Sequence, residues 1–398
     1  MELSRKIMSI RPSATLAVTA KAKDLKAAGK DVIAFAAGEP DFDTPENIRQ
    51  AGIDAINSGF TRYTAAPGII ELRKAICDKL KKDNDLDYDP SQIIVCNGAK
   101  HALANTFMAI LNEGDEVIIP APFWVSYSAM VEIAGGKPVI VYTKAENNFM
   151  LSKEDLQGAY TDKTKAIILV SPSNPTGMIA SRENLQDIAD FAVEKDLLVV
   201  ADEIYEKLIY NKNKKHISIG SLNKEILDRT ITINGVSKSY AMTGWRIGYV
   251  AAPPAVAKCI NVIQSHMSSN ANAIAQKAAL EAITGPQESV ELMRQQFEKR
   301  CDYIFEREEE IPYISALKPE GAFYLFIDIS GTCGKKYKGT EIKNAADFAA
   351  LLLDNKLTAV VPCADFGMEN YIRLSYAISL EDIKKGMDRI AEFVSELE

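Results

Sequence analysis

The chain has 398 residues, 47% hydrophobic and 25% charged, enough apolar side chain to bury a sizeable core. With 46 Lys and Arg against 54 Asp and Glu the formal net charge is −8, which excludes the basic footprint of a nucleic-acid or anionic-lipid binder. No run of 18 apolar residues occurs, so no membrane span is expected. The first residues lack a signal-peptide layout, which makes the cytoplasm the expected compartment. Six scattered cysteines without a C-x-x-C pair fit a reducing environment, and three histidines far apart in sequence show no metal-ligand spacing, so no metal is expected.

In chain order, short Val- and Ile-rich runs alternate with longer segments of helical period. Strands are expected at 92–96, 116–120, 137–142, 165–170, 197–201, 230–234 and 249–252, each apolar enough for burial on both faces. Helices are expected between them, for example at 101–111 and 183–196. This alternation predicts an α/β fold with a mostly parallel, doubly wound sheet of seven strands in a large domain over 46–285. The pattern then changes to a charged amphipathic helix at 289–311 and a β pair around 322–329. A helix at 345–355, strands near 357–362 and 371–376, and a last helix from Leu380 complete the chain. A smaller α+β domain over 286–398 is expected, with an N-terminal arm over 1–45 packing near it.

In such sheets ligands bind beyond the carboxyl ends of the strands. No G-x-G-x-x-G follows a strand there, and Gly334-KKYK-Gly339-Thr340 has Thr340 where a P-loop needs lysine. Gly98, Ala99 and Lys100 lie at a strand–helix junction suited to an anion. Ser237, Lys238 and Arg246 supply a hydroxyl, an amine and a guanidinium, and burial beside a cation would make Lys238 a nucleophile toward carbonyls. Asp202 follows an apolar strand and would be partly buried, in need of a cationic partner, with Tyr205 three residues on. Asn174 sits between prolines in SPSNPTG, and Trp124 offers a stacking face. Taken singly, each has an ordinary structural explanation. Jointly they describe a pocket for a phosphorylated aromatic aldehyde, pyridoxal phosphate.

At AGEPDFDTP, YTAAPGIIELR, GAKHAL, PFWVSY, SNPTG, DEIYE, SKSYAMTGWRIGY, GAFY and IRLSYA the sequence resembles the class I aminotransferases of pyridoxal-phosphate fold type I, and within them the bacterial aspartate aminotransferase subgroup. The resemblance covers nearly the whole chain. It implies that Lys238 bonds covalently to pyridoxal 5′-phosphate and then moves protons, and that Asp202 keeps the pyridine nitrogen protonated. Tyr205 and Asn174 would donate to the ring oxygen, and Trp124 would stack on the ring. Ser237, Arg246 and the backbone at Ala99 and Lys100 would hold the phosphate, joined by Tyr63 from the neighbouring subunit of a homodimer. Many members of the family that the sequence resembles carry a phosphate-binding serine three residues before the lysine, where this chain has Gly235. Arg373 would clamp the substrate α-carboxylate, with Gly38 approaching through its backbone. Lys100 and Thr15 at their positions favour aspartate or glutamate, with oxaloacetate or 2-oxoglutarate as the oxo acid. Prephenate or aromatic amino acids are the rival substrates, and a lyase of the same fold is the rival chemistry. A non-catalytic regulator would need a DNA-binding domain, for which the arm before AGEPDF leaves no room.

Overall fold

Seven strands form the central sheet of the computed structural model, which describes residues 3–8, 10, 14–211 and 214–398. They are β1 (Ile93–Cys96), β2 (Glu116–Ala121), β3 (Lys137–Tyr142), β4 (Thr164–Val170), β5 (Leu198–Asp202), β6 (Thr230–Gly235) and β7 (Gly248–Ala251). They pair in the order β1-β7-β6-β5-β4-β2-β3. All pairings are parallel except those of β7, which runs antiparallel to both neighbours. Strand side chains alternate between faces. Val117, Ile168 and Val200 accordingly pack with Leu103 and Phe107 on one face, while Ile118, Ile167 and Val199 pack with Leu185 and Ile188 on the other. The helix carrying Leu185 (Arg182–Glu194) starts at a capping box, Ser181 accepting from the Asn184 amide at 3.1 Å.

One strand departs from the expected burial. β3 is the sheet's last strand and is half-buried, with Lys137 and Tyr142 exposed at its ends. Its Val and Ile content matched that of a central strand, and composition does not register a missing neighbour.

A four-stranded antiparallel sheet follows, built from β8 (Ser315–Ala316), β9 (Tyr324–Asp328), β10 (Val361–Pro362) and β11 (Tyr371–Ser375) in the order β10-β11-β9-β8. The segment at 322–329 is therefore one strand with partners elsewhere rather than a β pair. The strand expected near 357–362 is two. Thr358–Ala359 pairs in parallel with Ile33–Ala34, whereas β10 joins β11. An unbroken apolar run carries no mark of a change of partner. The helices Glu288–Glu308, Ala345–Lys356 and Leu380–Ser395 pack around this sheet through Phe297, Phe348 and Phe393.

The antiparallel course of β7 matters for what lies at the sheet edge. Cys96 at the end of β1, Gly248 at the start of β7 and Gly235 at the end of β6 form one row. Arg246, which precedes its strand, thus reaches the same edge as residues that follow theirs. A Cβ on Gly248 would lie 2.3 Å from the Ala99 nitrogen, and one on Gly235 would lie 2.9 Å from the Gly248 Cα. The helix Ala99–Ile110 can seat its first turn on β7 only because this position has no side chain. A Cβ on Gly235 would also lie 2.9 Å from the Ile247 carbonyl oxygen, so this position is crowded by backbone too. Gly248→Ala is expected to destabilise the protein by about 2–3 kcal/mol through overpacking, measured by urea unfolding. A loss below about 0.5 kcal/mol would show that the helix start is not pinned there.

Candidate active site

The residues at the sheet edge are held from both sides. Asp202, at the end of β5, is 5% exposed, so it is buried rather than partly buried as expected. Its carboxylate accepts hydrogen bonds from the Tyr127 hydroxyl at 2.8 Å and the Ile204 amide at 3.2 Å. Burial raises its pKa to about 6 against the pull of those two donors. Tyr127 belongs to the quoted motif PFWVSY but was given no role. The only sequence signal was its place three residues after Trp124, whose ring meets the Tyr127 ring edge-on at 5.4 Å.

Lys238 follows β6 and reaches back to Gly38. Its ammonium donates to the Gly38 carbonyl and sits 5.9 Å from the Tyr205 ring and 5.7 Å from the Phe323 ring. Burial lowers its pKa to about 8; Glu39 opposes the shift, and Arg373 and Arg246 assist it. Glu39 in turn accepts from the Thr243 hydroxyl at 2.8 Å, and Arg246 donates to the Thr243 carbonyl at 2.9 Å. Neither Glu39 nor Thr243 was singled out in the sequence. The Tyr205 hydroxyl bonds to the Tyr324 hydroxyl at 2.8 Å.

The expected anion site is assembled as well. Arg246 adopts a left-handed backbone conformation, with φ of 59°, that turns its guanidinium over Gly98. A Cβ at Gly98 would meet that group at 2.3 Å. The first amides of the helix Ala99–Ile110, at Ala99 and Lys100, have no carbonyl one turn back. Ser237 is buried nearby in sequence, after β6. Lys100 places its ammonium 4.8 Å from the centre of the Trp124 ring, and its pKa is lowered by burial and by Arg246.

Arg373 enters from β11 and is 2% exposed. It donates to the Asn174 Oδ1 at 2.9 Å and the Ala36 carbonyl at 3.5 Å, lies 4.4 Å from the Tyr324 ring, and leaves its Nε without a partner. Asn174 therefore keeps its amide donor for another acceptor. Among the described residues, Lys100, Lys238, Arg246 and Arg373 have no carboxylate within the 4.0 Å of an ion pair. Four unpaired cations around one buried carboxyl fit a ligand with several anionic groups and one cationic centre. Tyr63 is 90% exposed. Thr15 lies in the helix Ala14–Ala27, and its side chain falls outside the described residues.

Comparison with known proteins agrees with this arrangement. Residues 30–390 match the family model for class I and II aminotransferases. The chain belongs to that family. An aspartate aminotransferase from a Bacillus species is 49% identical over 98% of this chain and 99% of its own, and that of Bacillus subtilis is 48% identical over 99% of each. The crystal structure of the aspartate aminotransferase from Rhizobium meliloti superposes with a TM-score of 0.97 at 40% identity, covering 100% of both chains. That of Thermus thermophilus with maleate gives 0.93 at 41%, covering 99% of this chain and 100% of the other. The fold is thus that of the fold type I aminotransferases, and the cofactor is pyridoxal 5′-phosphate. The residues present fit it: a glycine-lined cradle under Arg246, a buried carboxyl lacking a cation, and an amine with its pKa held low.

Asp202 gives a test that needs no cofactor. Its folded pKa of about 6 exceeds the value of about 3.9 in an unfolded chain. The folded state therefore holds the extra proton, and this contribution to stability falls as pH rises from about 4 to 6, by on the order of 3 kcal/mol. Cofactor-free wild type should lose stability relative to cofactor-free Asp202→Asn over that range, as read by urea unfolding. Parallel curves would mean that the carboxyl is already ionised at pH 4.

Proposed function

We propose that this protein is an aspartate aminotransferase, moving the amino group between L-aspartate or L-glutamate and a 2-oxo acid such as 2-oxoglutarate or oxaloacetate in two half-reactions. The observation that carries the reading is the set of four unpaired cations converging with Asp202 at one sheet edge. When bound, the cofactor supplies an aldehyde carbon that takes up the amino nitrogen and a ring that accepts electron density. Asp202, fixed by Tyr127, holds a proton on the ring nitrogen. Arg246, Ser237 and the amides of Ala99 and Lys100 hold the phosphate, Trp124 stacks on the ring, and Asn174 and Tyr205 donate to the ring oxygen. Arg373 binds the substrate α-carboxylate with its fork, next to Gly38, and turns Cα toward Lys238. The Lys238 amine takes the proton from Cα in one half-reaction and returns it to Cα in the other, for which a pKa near the working pH is best suited. Lys100, with Thr15, meets the second carboxylate of an acidic substrate.

A homodimer with Tyr63 reaching the partner's phosphate is supported by the exposure of that tyrosine and of Ile53, Ile56 and Ile70 close to it in sequence. The organisation into an arm over 1–45, a cofactor-binding domain over 46–285 and a small domain over 286–398 is supported by the pairing of Ile33–Ala34 with Thr358–Ala359. A cytoplasmic location accords with the absence, among the described residues, of a helix long and apolar enough to cross a membrane. A second substrate reading, prephenate, is supported by a relative in Aquifex aeolicus named a probable aspartate/prephenate aminotransferase, 45% identical over 99% of both chains.

A panel of amino donors with 2-oxoglutarate decides between them. Aspartate should give the highest kcat/KM in that panel, and a higher kcat/KM in a companion assay with prephenate as the acceptor and glutamate as the donor would move the assignment. Lys238→Ala should abolish the mass increase that borohydride reduction fixes on the wild type in the presence of the cofactor, and an equal increase on the variant would refute the lysine's role. Arg373→Leu should lower kcat/KM about 100-fold for every amino acid alike, through loss of a charge-assisted pair. A loss confined to acidic donors would place Arg373 at the side-chain carboxylate instead.

A further inference from the structure

Behind the turn that carries Asp202 and Tyr205 lies a buried polar cluster that the reaction does not use. The turn alternates. Asp202 and Tyr205 face the site, while Glu203 and Glu206 point away from it into the protein, 3% and 8% exposed. Their carboxylates meet on Asn84, the last residue of the helix Ile70–Asn84 and itself 4% exposed. The Asn84 amide lies 3.2 Å from the Glu203 Oε2, 2.7 Å from the Glu206 Oε2 and 2.9 Å from the Ser218 Oγ, and its own oxygen accepts from the Lys79 ammonium at 2.7 Å. Lys79 also pairs with Glu206, the Ser218 hydroxyl donates to Glu203 at 2.7 Å, and the His216 Nε2 stands 3.1 Å from Glu203. His216, which sequence spacing set aside, thus meets two carboxylates only in the folded chain.

Two buried acids balanced by a lysine and a histidine are weak evidence for stability, because apolar side chains of the same volume would often do better. What such a cluster supplies is a fixed geometry. With both glutamates tethered, and the Glu203 amide donating to the Ile233 carbonyl on β6 at 2.9 Å, the turn is held at both ends of 203–206. A carboxylate that must meet a ring nitrogen tolerates an error of only about 0.5 Å.

We propose that Asn84 is a positioning residue for the reaction: by joining Glu203, Glu206 and Ser218 it fixes the turn that aims Asp202 and Tyr205 at the cofactor. The proposal rests on the pyridoxal-phosphate reading of the site. Asn84→Ala removes the joint without changing any charge, and Ser218→Ala is the milder form should the first not fold. Ile390→Ala, in the fully buried face of the helix Leu380–Ser395, serves as a control that loses stability elsewhere.

Cofactor-free protein is titrated with pyridoxal 5′-phosphate, following tryptophan fluorescence, and the pH midpoint of the bound cofactor's visible absorption is recorded. Asn84→Ala should bind the cofactor about tenfold more weakly and shift the midpoint, and Ser218→Ala should do so by about threefold. Ile390→Ala should lower Tm while leaving both readouts at wild-type values. If Asn84→Ala or Ser218→Ala lowers Tm but binds and titrates like Ile390→Ala, the cluster is merely structural and the proposal is overturned. Should wild type itself fail to take up the cofactor, the reading of the site falls first and this inference with it.

Discussion

Removing the Asp202 carboxylate from water is the constraint around which the site is organised. Two neutral donors, Tyr127 and the Ile204 amide, do not compensate for that desolvation, as the upward shift of its pKa to about 6 records. A cationic ring nitrogen placed against the carboxylate would restore the balance and lower its pKa again. The same burial acts in the opposite sense on Lys238, holding its amine near pKa 8. One apolar environment thus leaves a carboxylate in need of a cationic partner beside an amine that readily becomes neutral, the pair on which the proposed function rests.

The sheet topology converts this local chemistry into a pocket. Three consecutive strands, β4, β5 and β6, deliver Asn174, Asp202 and Lys238 to one edge. The reversed β7 brings Arg246 back to it, and the glycines at 235 and 248 let the Ala99–Ile110 helix close over the row. The small sheet contributes from the far side. Arg373 on β11 reaches across to Asn174, and Tyr324 on β9 reaches Tyr205. Both contacts join elements about 120 to 200 residues apart in the chain, so the two sheets are tied together at the candidate site by side-chain hydrogen bonds.

Much of this was legible in the sequence because strand ends are marked by composition and the polar groups of the candidate site lie just beyond them. Asp202, Lys238, Asn174 and Gly98 could be located in that way. Arg246 was found for an incomplete reason: it was read as following a strand, whereas it precedes one that runs backwards. What could not be read were the partners of partners. Tyr127 supports Asp202 across 75 residues, Tyr324 meets Tyr205 across 119, and Asn84 joins Glu203 and Glu206 from the far end of a helix whose quoted motif stops at Arg73. Such pairs depend on packing distances of a few ångströms, which neither periodicity nor residue spacing encodes. The edge position of β3 and the split at Val360 escaped for the same reason, since both concern neighbours rather than the residues themselves.

The central claim is that the buried Asp202 carboxylate faces a protonated ring nitrogen. Its most direct test is the ¹⁵N NMR shift of ring-labelled pyridoxal phosphate bound to the wild type and to Asp202→Asn across the neutral range. The account predicts a protonated nitrogen throughout in the wild type and a neutral one in the variant. A neutral nitrogen in the wild type, or a protonated one in both, would contradict it.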